Sequence, residues 1–478
     1  MLKLYKRIVS FLLLSIILVG IFQPTASAKK AHDSIPPTAP KNLTSISISQ
    51  TSVFLKWTAS TDNKAVSSYQ IFQNSIYIAS TTETTYTVSG LTAAASYSFY
   101  VKAKDTSGNL SISSNVLTVT VPPAVQTTTK IISAYYTSWS AYSGYTPLNI
   151  PASNLTNIYY AFAKIGDDLK IAMGDPYIDP KNFAQLNELK QTYPQLKTLI
   201  SIGGWNDSGK FSDAALTDES RTVFADSIVA FIKAYGFNGV DIDWEYPVGG
   251  GLSTNVTRST DKTNFTLLLQ KLREKLDAQS RLDGHKYLLT IAGGAGSTFA
   301  ANTQLSLIAN YVDYAVLMTY DIHGIWDSYT DLNAPLYAPT ETSPQYKWSV
   351  DQSVKTWISN GFPASKIIMG VPFYGYIYNG VSSGGSGLYR SYAGGSSISY
   401  DRLLATYINN DNYIKYFHSD ALVPWMYNGS TFISFDNEIS MEYKAKYIVQ
   451  NDLAGASIWE LSQNTGGQLL NALITNIK

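Results

Sequence analysis

The sequence predicts two domains in series: an immunoglobulin-like β-sandwich, then a closed parallel (β/α)8 (TIM) barrel that carries an α+β insertion. Between Ile35 and Pro123, short β-rich runs recur roughly every ten residues with turn clusters between them, the rhythm of a sandwich. From Ile131 onward, apolar strand-like runs alternate with segments of helical periodicity, and eight such runs fit a closed barrel better than an open sheet. The gap between the seventh and eighth runs is far longer than the rest, so an extra subdomain is expected there. A length of 478 residues suits more than one domain, and with no cysteine at all each core must hold without disulfides. The formal net charge is zero, which argues against nucleic acid or an anionic membrane as partner. Any polymer bound is therefore expected to be uncharged.

At the N-terminus, Lys3, Lys6 and Arg7 precede the apolar run IVSFLLLSIILVGIF, and Ala26-Ser27-Ala28 supplies a small-x-small site. That order reads as an export signal over residues 1–28, cleaved after Ala28 to give a secreted, extracellular product. A retained anchor is disfavoured, because Ile8 to Phe22 falls short of the roughly 18 to 20 apolar residues a spanning helix needs. Residues 34–123 then hold TSVFLKW, SSYQIFQN, TTYTVSGL, SYSFYVKAKD and NVLTVTV. With the entry IPPTAP, Trp57 on an early strand, Leu91 followed by Tyr97 as a tyrosine corner, and the turn DTSGN, this segment resembles a fibronectin type III module. Parity along VFLKW makes Trp57 a core residue rather than a sugar platform. VPPAVQTTTK, Val121 to Lys130, is stiffened by two prolines, with residues 124–130 as the linker proper.

Residues 131–478 carry the barrel pattern. The strand runs are IISAYY, TNIYYAFA, LKTLISIGG, NGVDIDWE, YLLTIAGG, VDYAVLMTY, KIIMGVPFYG and LAGASIWEL, with helical segments such as RTVFADSIVAFIKAYG between several of them. Chemistry in this fold gathers at the C-terminal strand ends. Here those ends read GGW, DWEYP, TYDIHG, PFYGY and WELSQ, rich in polar and aromatic residues. The insertion is expected at about residues 378–436, on the catalytic face, where it would wall a groove.

One run stands apart. FNGVDIDWEYP sets Asp241, Asp243 and Glu245 at alternate positions, so the three acids share one face of a strand while Val240, Ile242 and Trp244 take the other. The apolar face suits the outer helices, which turns the acids into the barrel and puts Glu245 nearest its mouth. Three carboxylates in a poorly solvated interior cannot all ionise cheaply, so one should keep a proton near neutral pH and serve as a general acid. A metal site would call for His or further carboxylates at other strand ends, and only Asp321 qualifies. A salt-bridge cluster would need an inward cation, and Lys197 lies at the wrong end of its strand. Acid catalysis is the stronger reading.

NGVDIDWEYP, with SIGGW, MTYDIHGIWD, PFYGY and WELSQ, resembles glycoside hydrolase family 18, the chitinase family, over essentially everything from Ile131 onward. The resemblance implies hydrolysis of β-1,4-linked N-acetylglucosamine in chitin or its oligosaccharides by an endochitinase-type enzyme, monomeric, with no metal or organic cofactor. It implies Glu245 as acid, Asp243 as the group that orients the acetamido N–H, Asp241 as the deeper acid that holds or shares the proton that lets Asp243 turn between its partners, and Tyr320 and Asp321 as acetamide-binding residues. Trp459 would floor the sugar site, with Tyr135 and Ser201 supporting the deep aspartate. Gly204, Met318 and Tyr374 fall in the same motifs and are assigned to the groove. Trp205, Trp326 and Trp425 read as sugar-stacking platforms or as ordinary packing. The insertion resembles that of chitinases with deep grooves. Two positions depart from the family pattern: Asn238, where Asp is usual, and Tyr376, where Arg is usual. Asn238 is an odd number of residues from Asp241 and should point away from the row. Other readings are an endo-β-N-acetylglucosaminidase, a cell-wall glycan hydrolase, or a chitin-binding lectin that the presence of Glu245 argues against.

Overall fold

The computed structural model describes residues 33–48, 51–92, 94–121 and 130–477. The expected export signal, residues 1–28, and nearly all of the expected linker lie outside the described residues. Contacts divide the chain into two units, Met1–Thr127 and Thr128–Lys478. Among the described residues no helix is long and apolar enough to cross a membrane.

The first unit holds β1 (Lys41–Ile48), β2 (Ser52–Thr58), β3 (Val66–Gln73), β4 (Ile76–Thr81), β5 (Thr85–Ser89), β6 (Ser96–Asp105) and β7 (Leu117–Thr120). They form two antiparallel sheets, β1-β2-β5 and β4-β3-β6-β7. Alternation sends Val53, Leu55 and Trp57 into the core between them, where Trp57 meets Tyr69 edge-on at 5.5 Å. Tyr97 accepts the Thr92 N–H through its hydroxyl at 2.9 Å, the expected corner.

The second unit is built on β8 (Ile131–Thr137), β9 (Asn157–Ile165), a short antiparallel β10 (Ile171–Met173), β11 (Lys197–Gly203), β12 (Gly239–Asp243), β13 (Leu288–Gly294), β14 (Tyr314–Met318) and β15 (Ile367–Pro372), with β21 (Gly455–Trp459) closing the ring. Between β15 and β21 run β16 (Tyr374–Asn379), β17 (Gly394–Ser399), β18 (Ile414–Phe417), β19 (Pro424–Tyr427) and β20 (Thr431–Ser434). Parallel pairing runs β9-β11-β12-β13-β14-β15-β21-β8, and β8 pairs again with β9, so the sheet is closed. Its outer face is the main core. Val240, Ile242 and Trp244 pack there, and Trp244 stacks on Phe211 and meets Phe265 on the helix Asp261–Asp283. The helix Asp218–Tyr235 begins in a Thr217/Ser220 capping box and ends at Gly236, whose φ of 75° a side chain would resist. Each large side chain buried in this layer contributes about 1.5–3 kcal/mol of transfer free energy, which is why the strand's apolar face turns outward.

The insertion is a five-stranded antiparallel sheet in the order β17-β16-β20-β19-β18. It opens at Tyr374, ahead of the expected 378, because only Phe373 separates the end of β15 from β16. The run KIIMGVPFYGY gives no turn residue at which to divide barrel strand from insertion strand.

Candidate active site

A cleft of about 1010 Å³ opens over the C-terminal ends of the barrel strands, and Asp243, Glu245, Tyr320, Asp321 and Trp459 all line it. Beneath it, Asp241 is fully buried and sits in register with Ser201 on β11 and Thr290 on β13. Three hydroxyls donate to it: Tyr135 at 3.0 Å and Ser201 at 2.8 Å to Oδ2, and Thr290 at 2.7 Å to Oδ1. Burial outweighs those three bonds, so the Asp241 carboxyl still lies above its usual value. Asp243 has no such support. Its Oδ1 is buried without a hydrogen-bond partner, and burial, then the charges of Glu245 and Asp241, hold its carboxyl well above the usual range. Glu245 is pushed up to about 7, chiefly by burial, with the Asp321 charge adding to it and a Tyr246 hydrogen bond opposing. Burial thus raises all three carboxyls, and the donors that oppose it are concentrated at the deep position, where three hydroxyls converge.

The backbone that carries the acid is pinned. The Glu245 N–H donates to the Ser208 hydroxyl at 2.9 Å, and the Asn255 side-chain amide donates to the Glu245 carbonyl at 3.0 Å. Gly203 stands beside this segment at φ 107°, and a Cβ there would come within 2.3 Å of the Asp243 carbonyl. Asn238 keeps clear of the row: its side-chain oxygen accepts the Thr198 N–H on the neighbouring strand at 3.0 Å.

Tyr320 is buried beside the row, and Asp321 opens into the cleft. Trp459 rests between Tyr135, at 5.2 Å between ring centres, and Phe162, stacked at 5.8 Å. Of the groove residues expected, Trp205 and Met318 line the cleft, whereas Tyr135 and Ser201 lie below it as supports of Asp241. Gly204 lies behind the wall, where a Cβ would strike the Phe162 ring at 2.7 Å. Tyr374 turns its hydroxyl onto Asp321 instead of lining the cleft. Trp326, 58% exposed, stands outside the lining with its ring edge-on to Tyr376.

Trp425 corrects an expectation. It is 7% exposed on β19, stacked on Tyr416 at 5.0 Å, with its indole N–H donated to the Ser386 carbonyl. It packs the insertion's own core because β19 is flanked by β18 and β20. The expected groove wall is likewise different: among the described residues, none from Tyr374 to Ser434 lines the cleft, and Tyr346 with Trp348 from the loop after β14 stand there.

Trp139, Phe162, Tyr246, Tyr346 and Trp348 were not foreseen in the lining. Trp139 lies two residues past the end of β8, so its strand-end position was a usable signal. Phe162 gave none. Ser201 pairs with Ala161 and Ile202 with Ala163, so Phe162 is an extra residue in β9, and the bulge frees it from the alternation that would have sent it outward.

Residues 131–464 match the model of glycosyl hydrolases family 18, and residues 38–120 match that of the fibronectin type III domain. Chitinase A1 of Niallia circulans is 42% identical over 403 residues, which is 72% of this chain and 58% of that protein. Among solved structures, chitinase ChiA74 from Bacillus thuringiensis aligns with TM-score 0.69 and 33% identity over 73% of this chain and 69% of that one. A family 18 N-acetylglucosaminidase from Paenibacillus barengoltzii aligns with TM-score 0.67 and 35% identity over 73% of this chain and 99% of that one. The chain thus spans 58% of the length of Chitinase A1. With a closed barrel, an acid row at its mouth and a family match across the whole barrel, the chain belongs to family 18 of the glycosyl hydrolases.

Proposed function

We propose that this chain is a secreted chitinase that hydrolyses β-1,4 N-acetylglucosamine linkages with retention, using the substrate's own acetamide as nucleophile. Glu245 protonates the glycosidic oxygen while the acetamido oxygen attacks the anomeric carbon, giving an oxazolinium ion. Water then opens that ion, with the Glu245 carboxylate taking its proton. Asp243 accepts the acetamido N–H and stabilises the positive charge that develops on it, and Asp241 remains the anion beneath. Tyr320 donates to the acetamido oxygen, and Trp459 floors the sugar.

The observation that carries this reading is the unpartnered, buried Asp243 Oδ1 beside an acid whose carboxyl is pushed up to about 7. A buried acceptor with no donor is costly unless a ligand supplies one. Relatives described as chitinases support the substrate class. Aromatic residues line the cleft from opposite arcs of the strand order, Trp139, Phe162 and Trp205 near the ends of β8, β9 and β11 and Tyr346 with Trp348 after β14, which favours a chain bound on both sides of the acid and hence internal cleavage. The likeness to an N-acetylglucosaminidase keeps release of single sugars as the second reading. Residues 1–28 are read as the export signal, which would deliver a monomer to chitin outside the cell.

Glu245→Gln tests the assignment. Binding of chitin oligosaccharides is expected to survive while turnover of fluorogenic chitobiose and chitotriose conjugates falls by about 10³-fold or more. Turnover at the unsubstituted rate would end the assignment of the acid, and preference for a glycoprotein substrate would move the specificity to N-glycans.

A further inference from the structure

Asp321 is held differently from the row. It lies just past β14 in the left-handed region at φ 55°, with its N–H donated to the Asn333 side-chain oxygen at 2.9 Å. Two phenols reach its carboxylate from β16. Tyr374 and Tyr376 are two residues apart, hence on one face of the strand, and both donate to the same oxygen, Oδ1, Tyr376 at 2.7 Å. Each ring is 6% exposed, their planes stand at 86° to each other, and the edge of Trp326 closes on Tyr376 from the outer side. Asn333 ties the same loop to the insertion, since its N–H donates to the Ser434 hydroxyl on β20. The donors are thus fixed in packed protein, while the carboxylate they hold opens into the cleft.

We infer that Tyr376 is a positioning residue for the reaction: with Tyr374 it fixes the Asp321 carboxylate through Oδ1 and leaves Oδ2 to accept a hydrogen bond from the acetamido sugar. The inference rests on the reading of the cleft proposed above. Two donors on one oxygen define the carboxylate's direction, whereas one leaves it a bond about which to swing. The insertion acquires a role by this route. It contributes no described side chain to the cleft wall, yet its first strand orients an acid within it.

The groups that face Asp321 are Tyr320 beside it, Glu245 just beyond β12, and Tyr374, Tyr376 and Tyr378 from β16, none of them a cation. Burial raises the Asp321 carboxyl, and the two phenol bonds lower it. Loss of one phenol therefore raises it further, so the acid limb of the rate profile moves to higher pH.

The test is Tyr376→Phe made both in the unaltered enzyme and in Asp321→Asn, with kcat and KM followed against pH on a fluorogenic chitotriose conjugate. In the unaltered enzyme, kcat is expected to fall about tenfold with KM changed less than about twofold, and the acid limb to move up. In Asp321→Asn, the same change should cost less than about twofold, because its route of action is gone. Equal losses in both backgrounds, or an acid limb that stays where it was, overturn the inference, since a phenol that merely props the insertion would act without Asp321. Tyr374→Phe removes the other donor to the same oxygen and should repeat the pattern, which keeps the test alive if Tyr376→Phe does not fold. Absence of turnover by the unaltered protein on any acetamido-sugar substrate would remove the reading of the cleft, and this inference with it.

Discussion

Each domain holds a cluster of three carboxylates, and the two clusters are supported in opposite ways. In the sandwich, Asp33, Asp62 and Asp105 bring side-chain oxygens within 4.8 Å of one another. Their donors are mostly main-chain N–H groups of tight turns: Ile35 on Asp33, Lys64 and Ala65 on Asp62, Ser107 and Asn109 on Asp105. Burial raises the Asp105 carboxyl, but the hydrogen bonds from Asn109, Ser107 and Gly108 together carry it below its ordinary value. In the barrel three hydroxyls converge on Asp241, and the two acids above it are held high, Glu245 in spite of its bond from Tyr246. Crowding by itself does not make an acid. What decides is whether the surrounding donors outweigh burial, as at Asp105, or are outweighed by it, as at the mouth of the barrel.

The contrast is sharpened most by Asp243→Asn. Removing the charge beside Glu245 and turning one acceptor into a donor is expected to lower kcat on chitotriose conjugates by about 10²–10³-fold with oligosaccharide affinity little changed. A loss below about tenfold would mean that the unpartnered Oδ1 takes no part in turnover.

Stability separates the clusters by the sign of its pH dependence. The Glu245 carboxyl is raised from 4.5 to about 7, so its contribution is fully present below about pH 4.5 and is lost as pH rises through about 7. Glu245→Gln should therefore stabilise the barrel at pH 8, on the order of 3 kcal/mol by denaturant unfolding, and leave it nearly unchanged at pH 4. The same gain at both values would show that the charge is not what burial penalises. Asp105 is the opposite case: its folded value is depressed below 3.8, so its contribution is present above that pH and lost as pH falls through the folded value. Asp105→Asn is expected to lower the sandwich's transition temperature at pH 7, the smallest of these effects, and to do so less at pH 3, as followed by calorimetry. A pH-independent shift would mean that packing alone is disturbed.

Local periodicity made much of this legible. Eight barrel runs, five of the seven sandwich strands and the inward face of Asp241, Asp243 and Glu245 follow from which residues alternate, a property of the backbone within a few residues. Ser208 and Thr290 escaped notice because a serine in GGWNDS and a threonine in YLLTIAGG look like any others until β11, β12 and β13 lie side by side. Trp425 misled because an aromatic residue near polar neighbours reads alike whether it faces a sugar or a neighbouring strand. Phe162 was hidden by a bulge that breaks the very alternation used to read its strand.

By itself, the sequence determined that three acids share one strand face, that the strand's other face packs outward, and that a barrel with an interruption before its last strand follows a sandwich. Only the tertiary structure decided how donors are shared among the acids, where the Tyr376 hydroxyl points, and which aromatics line the cleft. The reason is one of range. Alternation is set by neighbours along the chain, whereas protonation, orientation and exposure are set by burial and by donors that arrive from strands and loops up to more than a hundred residues away, as Tyr135 does at Asp241.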